Sequence, residues 1–228
     1  MTTDLWSRLD SAPGDAAANM ALDEALLEAM PRLNRPVLRF YGWSEPAASF
    51  GYFQRYAEVE PLTGLRPLVR RPTGGGLVPH AADWTYSLAI PTTHAWYSLP
   101  ARESYQRLHR WLQAAFAQFR LTVELAPAAH KTHPGQCFAG HEQFDLLWHG
   151  RKLAGAAQRR RRDGLLIQGS VQPAPDLARG DWELAMTAAA TAAWDLRWAA
   201  IELDAALAAR ANALAQGKYS QPAYNQKR

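Results

Sequence analysis

The chain has 228 residues, nearly half of them hydrophobic, with nine tryptophans and eight tyrosines, so it can bury a large core and is too apolar to be disordered. Its 25 basic and 21 acidic residues leave a modest +4. No apolar run reaches the roughly 18 residues of a membrane span, and Met1 to Trp6 lacks the basic and apolar regions of a secretory signal. A single cysteine excludes an internal disulfide and suits a reducing compartment, so one cytoplasmic domain over 1–228, with no membrane association and no sizeable accessory C-terminal domain, is expected.

Apolar spacing predicts a helix from about Ala16 to Met30, stopped by Pro31. Short β-prone runs follow at Val37–Tyr41, Ala47–Phe50 and Leu68–Arg71, and Trp84–Ile90 continues the pattern up to Pro91. Tyr105, Leu108, Leu112, Phe116 and Phe119 recur at helical spacing, giving a helix over about 101–119. Next come a strand at Leu121–Leu125 and a hairpin of Phe144–Trp148 with Leu153–Gly155, turning at His149-Gly150-Arg151; Leu165–Val171 pairs beside it. Arg159–Arg162 reads as a solvated loop, since crowded like charges resist burial, and no recognition-helix or aromatic-interleaved strand pattern accompanies it to suggest nucleic acid. The alanine-rich end predicts two helices near 181–193 and 199–215. Strands mixed with helices in this order indicate an α+β (mixed α/β) class with a central mixed sheet flanked by helices.

The most constrained stretch is Arg70-Arg71-Pro72-Thr73-Gly74-Gly75-Gly76-Leu77-Val78-Pro79-His80. Three consecutive glycines weaken a strand, and the usual compensation is close approach of backbone N–H groups to an anion or carbonyl, with the arginines adding charge-assisted donors. Together with Asn19–Leu27, Arg39–Trp43, Gly51–Gln54, Trp84–Leu88, Arg151–Gln158 and Lys218-Tyr219-Ser220, in that order, this segment resembles the lipoate/biotin protein ligase and octanoyltransferase superfamily. Cys137-Phe138, ahead of the Lys152 hairpin, is similar to the octanoyltransferase branch that keeps its nucleophilic cysteine in this loop.

That resemblance implies the biotin/lipoate ligase catalytic fold and transfer of an octanoyl group from octanoyl-acyl carrier protein to a lysine of a lipoyl-carrier domain, such as the glycine cleavage H protein or a 2-oxoacid dehydrogenase E2. No cofactor is implied, because one thioester is exchanged for another before the stable amide forms. The catalytic pair would be Cys137 and Lys152. An ammonium at Lys152 would lower the thiol pKa and donate to the oxyanion of each tetrahedral intermediate, while a neutral amine would instead accept a proton from the attacking lysine; the sequence leaves both roles open. Arg71, Gly74, Gly75, Gly76 and His80 would form the floor of the acyl site, with Gly155 and Gln158 as the context of Lys152. At a hairpin, Lys152 itself is expected to matter little to the fold. The octanoyl tail, worth on the order of 5 kcal/mol when buried, calls for a tunnel lined by residues such as Leu77, Val78 or Phe53. The arginine run suits the acidic carrier partners that the resemblance implies.

Two departures stand out. Gln168 precedes Gly169-Ser170 where relatives often carry histidine, and Ala156 stands where serine is common. Two other functions compete with transfer: an ATP-dependent lipoate ligase using ATP and magnesium, and a zinc site on His130, His133, Cys137 and His141. A non-catalytic carrier-protein binder is a third alternative.

Overall fold

A computed structural model describes residues 4–131, 138, 140–173 and 175–227. In chain order these form β1 (Asp4–Asp10), α1 (Ala16–Leu33), β2 (Val37–Tyr41), β3 (Ala47–Phe50), α2 (Tyr56–Val59), β4 (Leu68–Arg70), β5 (Val78–His80) and β6 (Trp84–Pro91). Then come α3 (Ala95–Ser98), α4 (Ala101–Ala117), β7 (Glu124–Leu125), β8 (His130–Lys131), β9 (Gly140–His141), β10 (Leu146–Trp148), β11 (Arg151–Arg161) and β12 (Gly164–Val171). The chain closes with α5 (Arg179–Trp194), β13 (Leu196–Ala200), α6 (Ala205–Leu214), a π-helical turn (Ala215–Tyr219) and α7 (Pro222–Asn225).

Eight strands build the main sheet in the order β13-β1-β2-β6-β12-β11-β10-β7. β1 runs parallel to both neighbours, and the rest of the sheet is antiparallel. Its central strands are buried on both faces, and the two-residue period divides their side chains between two cores. Leu38, Phe40, Leu88, Ile90, Leu165 and Ile167 join the aromatic layer under α4 and α5, which includes Trp111 and Trp182. Val37, Ala89 and Leu166 face α1 and α6 instead, against Met20, Leu26, Leu27 and Leu207. Beside this sheet, β4-β3-β5 form a small three-stranded sheet that carries the glycine loop between β4 and β5. Hence α1, the small sheet and the middle of β11 and β12 surround one cavity.

Several boundaries differ from the sequence reading for identifiable reasons. α1 passes through Pro31 and ends at Asn34, whose left-handed backbone (φ 47°) turns the chain while its N–H bonds Met30 O at 2.9 Å. A proline in the last turn forfeits one hydrogen bond without preventing two more residues from following. Ala199 and Ala200, read as the start of a helix over 199–215, end the strand 196–200 because it pairs in parallel with β1, a non-local contact that overrides alanine's preference; the helix starts at Ala205. The arginine run is also largely strand: Arg159–Arg161 end β11 and only Arg162 lies in the turn. Strand alternation splits the run. Arg161 pairs with buried Glu24 at 3.0 Å and Arg159 donates to Pro72 O at 2.8 Å, whereas Arg160 and Arg162 are exposed.

Candidate active site

The lysine hairpin is built as the sequence requires. His149 and Gly150 both have positive φ (50° and 73°), the signature of a two-residue type I′ turn, which matches the twist of β10 and β11. Lys152 then folds inward, into a buried ion pair that the expectation of little importance to the fold did not foresee. Its side chain is 5 % exposed, and Nζ lies 2.7 Å from Oδ2 of the fully buried Asp145. Gly155 makes room for this: a Cβ there would sit 2.6 Å from both Cε and Nζ of Lys152 and 2.9 Å from Asp145 Oδ1.

Asp145 is held in turn from behind. The backbone N–H of Glu142 donates to Oδ2 at 2.7 Å, and the Tyr105 hydroxyl of α4 donates to Oδ1. Tyr105 accepts from Ala156 N–H at 3.2 Å and packs its ring 4.2 Å from that of His109. Burial, followed by the charge and hydrogen bond of Asp145, raises the Tyr105 pKa well above a free phenol, so it stays a donor. His109 is pushed down to about 4 by complete burial and is neutral at physiological pH.

The opposite wall comes from the small sheet. His80 stacks on Trp43 with centroids 3.8 Å apart, its Nδ1 2.9 Å from Asp83 Oδ2 and its Nε2 2.8 Å from Ser49 Oγ. Burial would raise the Asp83 pKa, but the charge and hydrogen bond of His80 and the donors Ser170 and Thr85 prevail and hold it below the ordinary carboxylate value. Arg71 braces the glycine loop. Its guanidinium donates to Gly74 O at 3.0 Å through Nε and again through Nη2, and reaches Ser49 O at 3.2 Å. The loop packs so closely on the preceding turn that a Cβ on Gly51 would lie 1.9 Å from Gly75 O; Gly75 itself needs φ 84°.

A third group closes the base. Gln168 of β12 accepts from Thr73 Oγ1 at 2.7 Å and donates to Asp23 Oδ2 at 2.7 Å. Asp23 also pairs with buried Arg39 at 2.7 Å and accepts from Ser87 and Tyr41. The Gln168 amide thus ties the glycine segment to α1 with both of its ends.

These walls enclose a cavity of about 430 Å³, counted to its open mouth, that combines polar groups (Ser49, Arg71, His80, Lys152) with apolar Met20, Val78, Phe138, Ala156 and Ala157. The structure therefore brings together Arg71, His80, Lys152 and Gly155. Gly74, Gly75 and Gly76 are not among the lining residues; Gly75 is exposed beside the site, with Gly74 O turned to Arg71. Gln158 does not line the cavity either, because its amide is engaged by α4, accepting from Ser104 at 2.9 Å and donating to Ala101 O at 2.6 Å. Of the expected tunnel residues Val78 lines the wall, Leu77 is buried in the small sheet's own core, and Phe53 is 73 % exposed. Cys137 lies outside the described residues; Phe138, which follows it in the sequence, places its ring centroid 4.8 Å from Lys152 Nζ.

Sequence reasoning overlooked Asp145, Tyr105, Ser49, Asp83 and Asp23. A carboxylate between apolar neighbours, as in Phe144-Asp145-Leu146, was the available signal, since a lone charge in a buried strand requires a partner. For the zinc alternative, His130 and His141 are cross-strand neighbours with rings 5.8 Å apart, while His133 and Cys137 lie outside the described residues. Among the described residues no three metal-type side chains cluster.

The chain resembles known proteins throughout. Octanoyltransferase LipM of Oceanobacillus iheyensis is 37% identical over 172 residues, covering 73% of this chain and 63% of that protein, so the match spans less than two thirds of the relative's length. In structure, a lipoate-protein ligase A bound with ATP aligns over 99% of both chains with a TM-score of 0.78 at 18% identity. A bi-partite lipoate protein ligase from Thermoplasma acidophilum, described with its E2 lipoyl domain, aligns over 99% of this chain and 97% of its own with a TM-score of 0.73 at 18% identity. Those alignments show the fold to be the α+β catalytic fold of lipoate ligases. Since residues 15–190 match the lipoyl protein ligase A/B catalytic domain, this chain belongs to that family.

Proposed function

We propose that the chain is an octanoyltransferase of lipoate biosynthesis, acting in the cytoplasm, that takes an octanoyl group from octanoyl-acyl carrier protein and delivers it to a lysine of a lipoyl-carrier domain. The observation that carries this reading is the buried Lys152–Asp145 pair at a largely apolar cavity beside Phe138. Named LipM relatives support the reaction class, and the Thermoplasma neighbour's E2 lipoyl domain supports the class of acceptor.

In this reading the Cys137 thiolate attacks the thioester carbonyl, the carrier's pantetheine thiol departs, and the octanoyl group rests on Cys137. The acceptor lysine amine then attacks that thioester, forming the amide and releasing the Cys137 sulfur. Because the product amide is more stable than either thioester, no ATP and no metal are required. Lys152, oriented by Asp145, acts as an ammonium: it lowers the Cys137 pKa and donates to the oxyanion of both tetrahedral intermediates. Met20, Val78, Ala156 and Ala157 take the tail. The exposed Arg160 and Arg162 speed encounter with acidic carriers.

The test is transfer without nucleotide. With octanoyl-acyl carrier protein and an apo lipoyl domain, the purified chain should octanoylate the domain with no ATP present. If modification requires free octanoate, ATP and magnesium, the protein is a ligase.

A further inference from the structure

The hydrogen bonds around Asp83 fix the proton positions on His80. Thr85 Oγ1 already accepts from Trp43 Nε1 at 2.8 Å, so its own hydrogen is directed to Asp83 Oδ2, 2.9 Å away. Ser170 Oγ likewise accepts from Gln172 Nε2 at 2.9 Å and donates to the same oxygen at 2.7 Å. An oxygen receiving two hydroxyl donors is an acceptor, so His80 Nδ1 must be the N–H that reaches it. On a neutral ring Nε2 then carries a lone pair. Ser49 Oγ is 2.8 Å from Nε2 and lies 3.4 Å from Arg71 Nη1, which donates to it, leaving the serine hydrogen for His80. Serine, a histidine held in this tautomer and a buried carboxylate follow one another along this line, and Ser49 and His80 both line the cavity.

We propose that Ser49, His80 and Asp83 form the proton relay for the second half of the reaction, the attack of the acceptor lysine; this rests on the acyl-transfer reading above. As the amine nitrogen bonds the octanoyl carbonyl carbon, its proton passes to Ser49 Oγ while the serine proton moves to His80 Nε2. When the carbon–sulfur bond breaks, the electron pair leaves on the Cys137 sulfur and the proton returns to it through the same hydroxyl. Amine and thioester become amide and thiol, with no oxidant, metal or nucleotide consumed. The imidazolium that exists between the two events is stabilised by Asp83 on one edge and by the face of Trp43. The charged and titratable groups facing it are Asp83 from its own hairpin, Arg71 through Ser49, and Lys152 of β11 and Tyr41 of β2 around the cavity.

Single-turnover kinetics of the full chain separate the two halves: acylation by octanoyl-acyl carrier protein is followed by intact mass, then apo lipoyl domain is added and loss of the adduct is timed. His80→Gln, which preserves hydrogen bonding but cannot cycle a proton, should lower the ratio of transfer rate to acylation rate by about 100-fold or more. Ser49→Ala should lower the same ratio. A ratio within 3-fold of the parent in either variant overturns the relay, as does an octanoyl adduct mapped to Ser49. Should His80→Gln fail to fold, Ser49→Ala decides: a ratio within 3-fold of the parent overturns the relay, and a loss of about 100-fold or more supports it. A parent that forms no acyl-enzyme at all refutes the acyl-transfer reading and the relay with it, whereas normal half-reactions in both variants refute the relay alone.

Discussion

Replacing Lys152 by Met should cost the protein a large share of its stability, although its backbone sits just after an exposed hairpin turn. The side chain is 5 % exposed and its partner Asp145 is fully buried, 2.7 Å away. Without the ammonium, the carboxylate keeps the Tyr105 hydroxyl and Glu142 N–H as donors but loses its counter-charge. Breaking a buried pair from one side costs roughly 3–5 kcal/mol, against a total of about 5–15 kcal/mol for a typical domain. Asp145→Asn should also destabilise the fold, because it neutralises the buried carboxylate 2.7 Å from the Lys152 ammonium. The double variant Lys152→Met/Asp145→Asn removes both charges and keeps one acceptor, so its loss should stay near 1–3 kcal/mol, the range for imperfectly satisfied buried polar groups. Equilibrium urea unfolding reads the cycle directly. At a slope of about 2 kcal/mol per molar, a 3 kcal/mol loss moves the midpoint by about 1.5 M. Additive single losses, or a Lys152→Met loss below about 1 kcal/mol, would falsify the buried ion pair as the reason Lys152 points into the cavity.

The acid side of the stability curve should report two other buried groups. Neutral His109, at about 4 when folded against 6.5 when exposed, makes the unfolded chain bind more protons between those values; stability should fall by on the order of 3 kcal/mol as pH drops from 6.5 to 4, and His109→Phe should flatten that window. Burial would raise the Glu24 pKa, but hydrogen bonds from Lys218 and Tyr219 and the nearby charges hold it below 4.5. Its contribution is complete above 4.5 and disappears as pH falls through the folded value, so Glu24→Gln should lower the thermal midpoint at pH 7 and reduce its acid dependence below 4.5. Gly51→Ala must displace Gly75 O from 1.9 Å; the variant should lose transfer through a misplaced glycine loop, and a crystal structure with that loop unmoved would contradict this. Neutralising Arg160 and Arg162 should slow transfer at low salt with little change in thermal midpoint, while neutralising Arg161, paired with Glu24, should lower the midpoint.

How much of this was legible beforehand depended on the range of the interactions. The central strands β2, β6 and β12 announce themselves because they are buried on both faces and read as apolar runs. α4 does so through its periodic Leu108, Leu112 and Phe116. β1 and β13 were missed because their parallel pairings are non-local: β1 joins β2 across about thirty residues and β13 joins β1 across nearly the whole sequence. Lys152, Arg71, His80 and Gly155 stand out through local patterns that the resemblance made meaningful, and the structure places all four on one cavity. Their partners were not: Asp145, Tyr105, Ser49 and Asp83 are ordinary in their own segments and become functional candidates only when the sheet and α4 bring them to the cavity. Gln158 failed for a related reason. Spacing from Lys152 places it on the right strand, but Ser104 and Ala101 at the start of α4 capture its amide.

Peptide-mapped mass spectrometry during turnover tests the covalent route most directly. With octanoyl-acyl carrier protein and no ATP, one octanoyl group should appear on Cys137, decay when apo lipoyl domain is added at a rate matching product formation, and be absent from Cys137→Ser, which should remain folded and inactive. Normal transfer by Cys137→Ser, or product forming in the parent with no adduct on the pathway, would contradict it.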